Sequence, residues 1–461
     1  MKFYDRERET ELLKKLKKDF RIAIVGRRRI GKTRLVEETF KNNLLTLFIP
    51  AEKTEVEIIR DWSKEYKEIP PVNTFHELFK FIFSDVDKII FIDEIQNILK
   101  VNKSFIFDLQ RLIDKYKPKL IVAGSLIRTT KKMIETYKTP LYGRFDIIIK
   151  LQELKFQVIY QICKDLKYSF EDAIKFYSVF GGIPKYYELL EKVGKIDLSE
   201  FVLNSFVNYP RPLYEEVRTM LKEEFGKEYK IFFSILSSIS RGKNKLVEIA
   251  NFVGREPTKI TKYLSLLKDD FEIIEREVPV VKGKKGIYKI RNNLFHFWFS
   301  NIWAYAELIE RNEEEIVVEK VKNNLNSWIS FKFEDIIKEM IRDKLLFSNF
   351  TKIGKQWGKI PNKPKGENTY EIDLVSLNEK TKEILFGECK WKNKVNAEKI
   401  CKELAEKAKY VEWNNEDRKE SFAIFAKSFG KRIKEFEGKK VYCFDLRDLE
   451  RIMKYKEDYF S

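Results

Sequence analysis

The sequence predicts an α/β fold organised on a parallel sheet, and three observations carry that prediction. Short apolar, β-branched runs recur through the first third of the chain, at Arg21–Val25, Leu44–Pro50, Lys88–Glu94, Lys119–Ser125 and Phe145–Leu151. Segments with helical spacing separate them, and strands alternating with helices give a parallel sheet with right-handed crossovers. The first run leads directly into Gly26-Arg27-Arg28-Arg29-Ile30-Gly31-Lys32-Thr33, a G-x-x-x-x-G-K-[ST] stretch, after which Leu35, Val36, Thr39 and Phe40 recur at helical spacing. Strand, glycine loop and helix in that order are the setting of a phosphate-binding loop.

Residues 1–20 place Leu12, Leu13 and Leu16 on one helical face ahead of the first strand. In the loop, the glycines let backbone N–H groups point inward, and the following helix N-terminus adds positive potential where phosphate oxygens sit. The chemistry assigns Lys32 to the β- and γ-phosphates of ATP and the Thr33 hydroxyl to Mg²⁺. The run at 88–94 ends in Asp93-Glu94. An acid at that position holds Mg²⁺, here Asp93, and Glu94 is placed to orient or activate the attacking water. Residues 104–117 read as a helix, and Ser125 closes the next strand, where ligands of open α/β sheets bind. There Ser125 is a candidate γ-phosphate sensor, and Arg128 and Arg144 are candidate transition-state cations or, equally, surface salt-bridge formers. Gly181-Gly182-Ile183-Pro184 interrupts a helical region, either as a plain junction or as a lid turn over the nucleotide base.

From about residue 228 the pattern changes. Ile231–Ile239, Lys245–Ala250 and Pro257–Leu267 read as three helices, and two extended runs, Phe271–Pro279 and Gly286–Ile290, flank Val280-Val281-Lys282-Gly283-Lys284-Lys285. Three helices and a basic-tipped hairpin make a winged-helix pattern, with Thr258, Lys259, Thr261 and Lys262 exposed on the third helix. Such modules serve DNA reading or protein docking alike.

The last third carries a second constellation. Phe331-Lys332-Phe333-Glu334 opens a helix reaching about Leu346, and Tyr370–Leu377 and Glu383–Lys390 read as a strand pair. Alternation puts Glu388 and Lys390 on one face, with Asp373 on the neighbouring strand. Two carboxylates beside a lysine suit a metal-dependent phosphodiesterase, the acids holding Mg²⁺ and the lysine steadying charge.

The 461 residues suffice for two to four domains, and 43% hydrophobic content predicts a folded chain. The 90 basic against 72 acidic residues leave a net charge of +18, which favours polyanionic partners, nucleic acid first. Four scattered cysteines and two distant histidines exclude a zinc ribbon, a disulfide framework and a histidine triad, and fit a reducing cytoplasm. No apolar window is long enough to span a bilayer, so no membrane partner is expected.

On Phe3-Tyr4-Asp5-Arg6-Glu7, the loop at 26–33, Ile92-Asp93-Glu94, Gly124-Ser125, Tyr142-Gly143-Arg144-Phe145, Gly181-Gly182-Ile183-Pro184 and Asn293–Trp298, nearly the full chain resembles the archaeal ATPase family. That family is related to the STAND and AAA P-loop ATPases. The C-terminal part resembles the PD-(D/E)xK nuclease fold, with Asp373, Glu388 and Lys390 on its motif positions, Glu334 on the leading helix and Ile372 replacing the motif's proline. The resemblance implies a P-loop ATPase core over 1–155, a helical lid over 156–225, a winged helix over 226–300, a helical linker over 301–325 and a restriction-endonuclease-like α/β domain over 326–461. It also implies an ATP-binding site at residues 26–33 with Ser125 and Pro184, and Arg144 acting within its own subunit or a neighbour. The expected function is an ATP-hydrolysing switch acting on or near double-stranded DNA. The alternatives are an ATP-gated, metal-dependent nuclease and a nucleotide-dependent scaffold for a protein partner.

Overall fold

The computed structural model describes residues 1–16, 19–41, 43–67, 69–283, 286–364 and 366–457. They form two compact units. The first comprises Met1–Leu154, Ile183–Lys192 and Thr219–Lys227, and the second Lys155–Gly182, Val193–Arg218 and Glu228–Ser461. The segment 156–225 therefore contributes to both.

In the first unit, α1 (Glu7–Lys14) precedes β1 (Arg21–Val25), and α2 (Lys32–Phe40) follows it. Next come β2 (Leu44–Phe48), β3 (Ile89–Asp93), β4 (Leu120–Gly124), α3 (Ile127–Glu135) and β5 (Ile147–Lys150). The sheet order is β2-β3-β4-β1-β5, and every pairing is parallel. Ile22, Ile24, Phe91, Ile121 and Ala123 face one core, while Ala23, Leu45, Leu47, Ile90, Ile92 and Val122 face the other. Burial on both faces is why these strands read as unbroken apolar runs. The five strands expected from the first third are all present, and their carboxyl ends bring Gly26, Asp93 and Ser125 to one edge. Two later helices, α4 (Pro184–Val193) and α5 (Pro212–Phe225), contribute Ile183–Lys192 and the turns from Thr219 onward to this unit.

The second unit contains α6 (Tyr229–Ser240), α7 (Leu246–Val253) and α8 (Pro257–Ser265), then an antiparallel hairpin of β6 (Ile274–Glu277) and β7 (Ile287–Ile290). Lys284 and Lys285 of the expected basic tip lie outside the described residues. The beginning of that connection is not a solvated tip. Val280 and Val281 are buried in the core of the C-terminal sheet. The Val280 N–H donates to the Lys355 carbonyl at 3.1 Å and the Val281 N–H to Gln356 Oε1 at 2.9 Å. Two adjacent β-branched side chains gain more from burial than from solvent, so they plug into the neighbouring sheet.

The helix expected from Phe331 begins at Glu314 and runs to Arg342 as α9. Its extra turns are held by Val317, Val321, Leu325 and Trp328, buried at spacings of four, four and three. The C-terminal sheet holds β8 (Lys352–Lys359), β9 (Thr369–Asn378), β10 (Glu383–Lys390), β11 (Lys419–Ala426), β12 (Glu435–Phe436) and β13 (Lys439–Phe444), ordered β12-β13-β11-β10-β9-β8. β9 pairs antiparallel with β10, which pairs parallel with β11, and α10 (Ala397–Ala408) packs into the same core. No helix among the described residues is long and apolar enough to cross a membrane.

Candidate nucleotide-binding site

The loop after β1 has the backbone its sequence demands. Gly31 adopts φ +93° at the head of α2, a conformation that costs glycine little and other residues strain. A Cβ on Gly26 would approach the Leu151 carbonyl to 3.0 Å, so the loop lies tight against β5. Ile30 is buried in the core beneath.

Lys32 is 5% exposed, and its Nζ donates to the carbonyls of Gly26 at 3.0 Å and Arg27 at 3.1 Å. Burial lowers its pKa, opposed by Glu94 and Asp93. Thr33 Oγ1 donates to Asp93 Oδ2 at 2.6 Å, and the Glu94 N–H donates to Asp93 Oδ1 at 2.9 Å. Burial pushes the Asp93 carboxyl up, offset in part by the Thr33 hydroxyl. Glu94 sits in the left-handed region at φ 56°, an unfavourable conformation for a non-glycine residue that recurs at functional sites. Its Oε2 accepts from Ser125 Oγ at 2.6 Å and from Gln96 Nε2. A chain of hydrogen bonds thus links α2, β3 and β4.

A cavity of about 310 Å³ opens on Gly31, Lys32, Thr33 and Glu94. Pro184 lines it, together with Phe3, Tyr4, Arg34 and Glu188. Arg28 pairs with Glu223 at 3.1 Å, and Arg29 lies 6.0 Å over the Tyr186 ring. Arg27 acts electrostatically on Glu224, whose pKa burial raises to about 7. The donor set suits Mg²⁺: Thr33 and Asp93 offer two hard oxygens already in contact.

Arg144 takes the second of the two roles open to it, a surface salt bridge. It is absent from this cavity's lining and instead binds Asp114 in a two-pronged pair, Nε at 3.2 Å and Nη2 at 3.0 Å. A nearby carboxylate with matching fork geometry holds the guanidinium at the surface.

Residues 19–160 match the family model described as "AAA domain", and residues 298–400 match the one described as "Archaea bacterial proteins of unknown function". An uncharacterised protein of Methanocaldococcus jannaschii is 33% identical over 464 residues, covering 97% of this chain and 99% of that protein. The chain belongs to that archaeal protein's family. Its phosphate-loop unit is that of an AAA-type P-loop ATPase. Among solved structures, the Walker-type ATPase of Pyrococcus abyssi is similar with TM-score 0.46 and 15% identity, over 64% of this chain and 96% of that one. The ORC2 protein of Aeropyrum pernix, in ADPNP and ADP complexes, is similar with TM-score 0.45 and 14% identity, over 68% and 94%.

The family's second matched segment contains the other expected site. Lys390 Nζ pairs with Glu388 Oε1 at 2.7 Å, and Lys407 from α10 reaches both Glu388 oxygens at 3.4 Å. The Cys389 N–H donates to Asp373 Oδ2 at 3.0 Å. Glu334 is 3.4 Å from Lys355 and 3.6 Å from Lys338; burial, then Asp373, raises its pKa to about 7. The expected residues are therefore neighbours. Among the described residues, however, no three acids, histidines or cysteines gather as metal ligands. Asp373 and Glu388 are the acids expected to hold Mg²⁺, and Lys390 stands beside Glu388 as the pattern expects, with Lys407 as a second ammonium on the same carboxylate.

Sequence reasoning missed Gln96, Arg34, Glu188, Glu223 and Glu224. Gln96 stands two residues after Glu94 and was within reach of a closer reading. Glu223 and Glu224 come from almost two hundred residues away, where no local pattern points to the loop.

Proposed function

We propose that the chain binds ATP with Mg²⁺ at Gly26–Thr33 and hydrolyses it as a switch acting on DNA. The observation supporting this most strongly is the hydrogen-bonded chain from Thr33 through Asp93 to Glu94 and Ser125. On binding, the Lys32 ammonium exchanges two backbone carbonyls for β- and γ-phosphate oxygens. Thr33 and Asp93 would hold Mg²⁺, which would supply positive charge against that developing on the phosphates. Glu94 takes a proton from the water attacking the γ-phosphorus, and Ser125 holds its carboxylate until phosphate arrives. Arg144, which does not line this cavity, would act on the nucleotide of a neighbouring subunit.

The DNA element of the proposal is supported by α8. Thr258, Lys259, Thr261 and Lys262 are all exposed on it, as a winged-helix recognition helix requires, on a chain of net charge +18. The test is ATP turnover with and without duplex DNA, alongside DNA affinity across salt. Turnover should rise with DNA, and Lys259→Ala with Lys262→Ala should flatten the log–log salt dependence by about two phosphate contacts. Affinity independent of salt, with turnover indifferent to DNA, would exclude DNA and favour a nucleotide-dependent protein scaffold.

A further inference from the structure

The helix that follows Ser125 starts without a cap of its own. The N-cap residue of α3 is Leu126, extended at φ −83° and ψ 94°, with no side-chain acceptor for the first turn. The Thr130 N–H reaches the Leu126 carbonyl at 2.8 Å, but the N–H groups of Ile127 and Arg128 come too early for a partner within the helix. Serine caps helices well, yet Ser125 stands one position ahead of the cap, and its hydroxyl donates to Glu94 at 2.6 Å. The acceptor comes instead from α5, 96 residues further along the chain. Glu224 Oε1 takes the Arg128 N–H at 3.4 Å, and the same carboxylate accepts from the Ile127 N–H. A carboxylate in this place also meets the positive end of the helix. The turn that carries it belongs to the phosphate-loop unit, and there Glu223 holds Arg28 of the loop at 3.1 Å.

What Glu224 caps is fastened to Glu94 in two ways. Ser125, next to the cap, binds the Glu94 carboxylate directly. Thr130, fully buried at the end of the first turn, donates Oγ1 to Gln96 Oε1 at 3.4 Å, and Gln96 Nε2 donates to Glu94 Oε2. The packing leaves no slack between them. A Cβ on Gly124 would collide with the Thr130 side chain and come within 2.9 Å of Gln96 Oε1. Close-packed groups pass a displacement on rather than absorb it, so the start of α3 and the Glu94 carboxylate move together.

We propose that Glu224 is a positioning residue for ATP hydrolysis: by capping α3 it fixes Ser125 and Thr130, and through them the carboxylate of Glu94. The assignment rests on the ATP reading above. Glu224 does not line the nucleotide cavity, so its removal should lower kcat and spare affinity. The test is steady-state ATP turnover with Mg²⁺ at neutral pH, with ADP affinity by calorimetry, in wild type, Lys32→Ala, Glu224→Ala, Glu224→Gln, Ser125→Ala and the Ser125→Ala, Glu224→Ala double variant. Glu224→Ala should lower kcat about tenfold, less than the roughly hundredfold that a misplacement of about 1 Å can cost, with ADP affinity within about twofold of wild type. Glu224→Gln, whose amide oxygen accepts the same two N–H groups, should recover most of kcat. Leu126→Ser added to Glu224→Ala gives the helix a local cap and should do the same. In the Ser125→Ala background, Glu224→Ala should cost no more than about threefold further, because residues acting through one link are not additive. If Glu224→Ala does not fold, Glu224→Met, which removes the acceptor and keeps the bulk, replaces it. A kcat within twofold of wild type in Glu224→Ala, a loss that Glu224→Gln shares in full, a loss of ADP affinity in place of kcat, or tenfold losses that multiply in the double variant would each overturn the proposal. Wild-type turnover that survives Lys32→Ala, or none at all, would overturn the ATP reading and this assignment with it.

Discussion

In the phosphate-loop unit Lys32 is held by two backbone carbonyls and Asp93 by a hydroxyl. In the second unit Glu388 carries Lys390 and Lys407, and Asp335 carries Lys289 and Lys332. The residue types are the same, but their partners differ in charge. A carbonyl or hydroxyl yields to an incoming phosphate or metal without leaving a buried ion alone. A carboxylate saturated by ammoniums yields only when a cation displaces them, which exposes the desolvation cost of both. The first cluster is therefore arranged to accept a ligand and the second to hold structure together.

The comparison is broken most directly at the loop. Lys32→Ala and Glu94→Gln should each lower ATP turnover by about a hundredfold or more, since on the proposed mechanism Lys32 stabilises charge on the transferred phosphate and Glu94 accepts the proton of the attacking water. Because the partners of Lys32 are neutral, the melting temperature should hardly move. Turnover within a few-fold of wild type in both variants would remove the catalytic assignment.

Asp335 should behave in the opposite manner. Lys289, Lys332 and Lys338 hold its carboxylate far below the ordinary range despite burial. Asp335→Ala leaves Lys332 and Lys338, 1% and 4% exposed, without that compensation. Breaking a buried pair in this way costs about 3–5 kcal/mol, read by denaturant unfolding. ATP affinity measured below the transition should stay intact.

Glu224 sharpens the contrast from within the first unit. Burial raises its pKa from the ordinary 4.5 to about 7, against Arg27 and the N–H groups of Arg128 and Ile127. A raised carboxyl favours the folded state while protonated. Its contribution is thus complete below pH 4.5 and is lost as pH rises through about 7. Glu224→Gln should abolish that slope and stabilise the protein at pH 8 by about 2 kcal/mol. An unchanged pH profile would show that Arg27 already neutralises the carboxylate.

The parallel sheet and the loop were legible because their causes are local. β-branched runs buried on both faces leave no polar alternation, and Gly31 is needed for its positive φ. The same holds for Asp93 and Glu94, fixed by the strand they end. What escaped depends on distant partners. Val280 and Val281 stand in a lysine-rich connection that reads as exposed, and only the C-terminal sheet supplies the core that buries them. The upper half of α9 carries a stripe from Val317 to Trp328, visible in principle but thinned by the polar residues between. The choice between the two roles of Arg144 stayed open because Asp114, thirty residues earlier, gives no local sign of pairing with it.

The smallest effect is expected at Glu388, and it limits how far the second cluster can be treated as uniform. Glu388 is itself buried, but the side chains of Lys390 and Lys407 are 30% and 31% exposed. Once released, both ammoniums can turn to water, unlike Lys332 and Lys338. Glu388→Gln should therefore cost about 1 kcal/mol or less, in the range of partly exposed pairs. Mg²⁺ up to several millimolar should not shift the melting of either form in the absence of nucleotide, because among the described residues no group of three or more acids, histidines or cysteines is gathered to take it. A Mg²⁺-dependent rise in wild type that Glu388→Gln removes would mean that the cation displaces Lys390 or Lys407. The C-terminal sheet would then join the phosphate loop as a ligand-accepting site, and the nuclease reading would become the one to pursue.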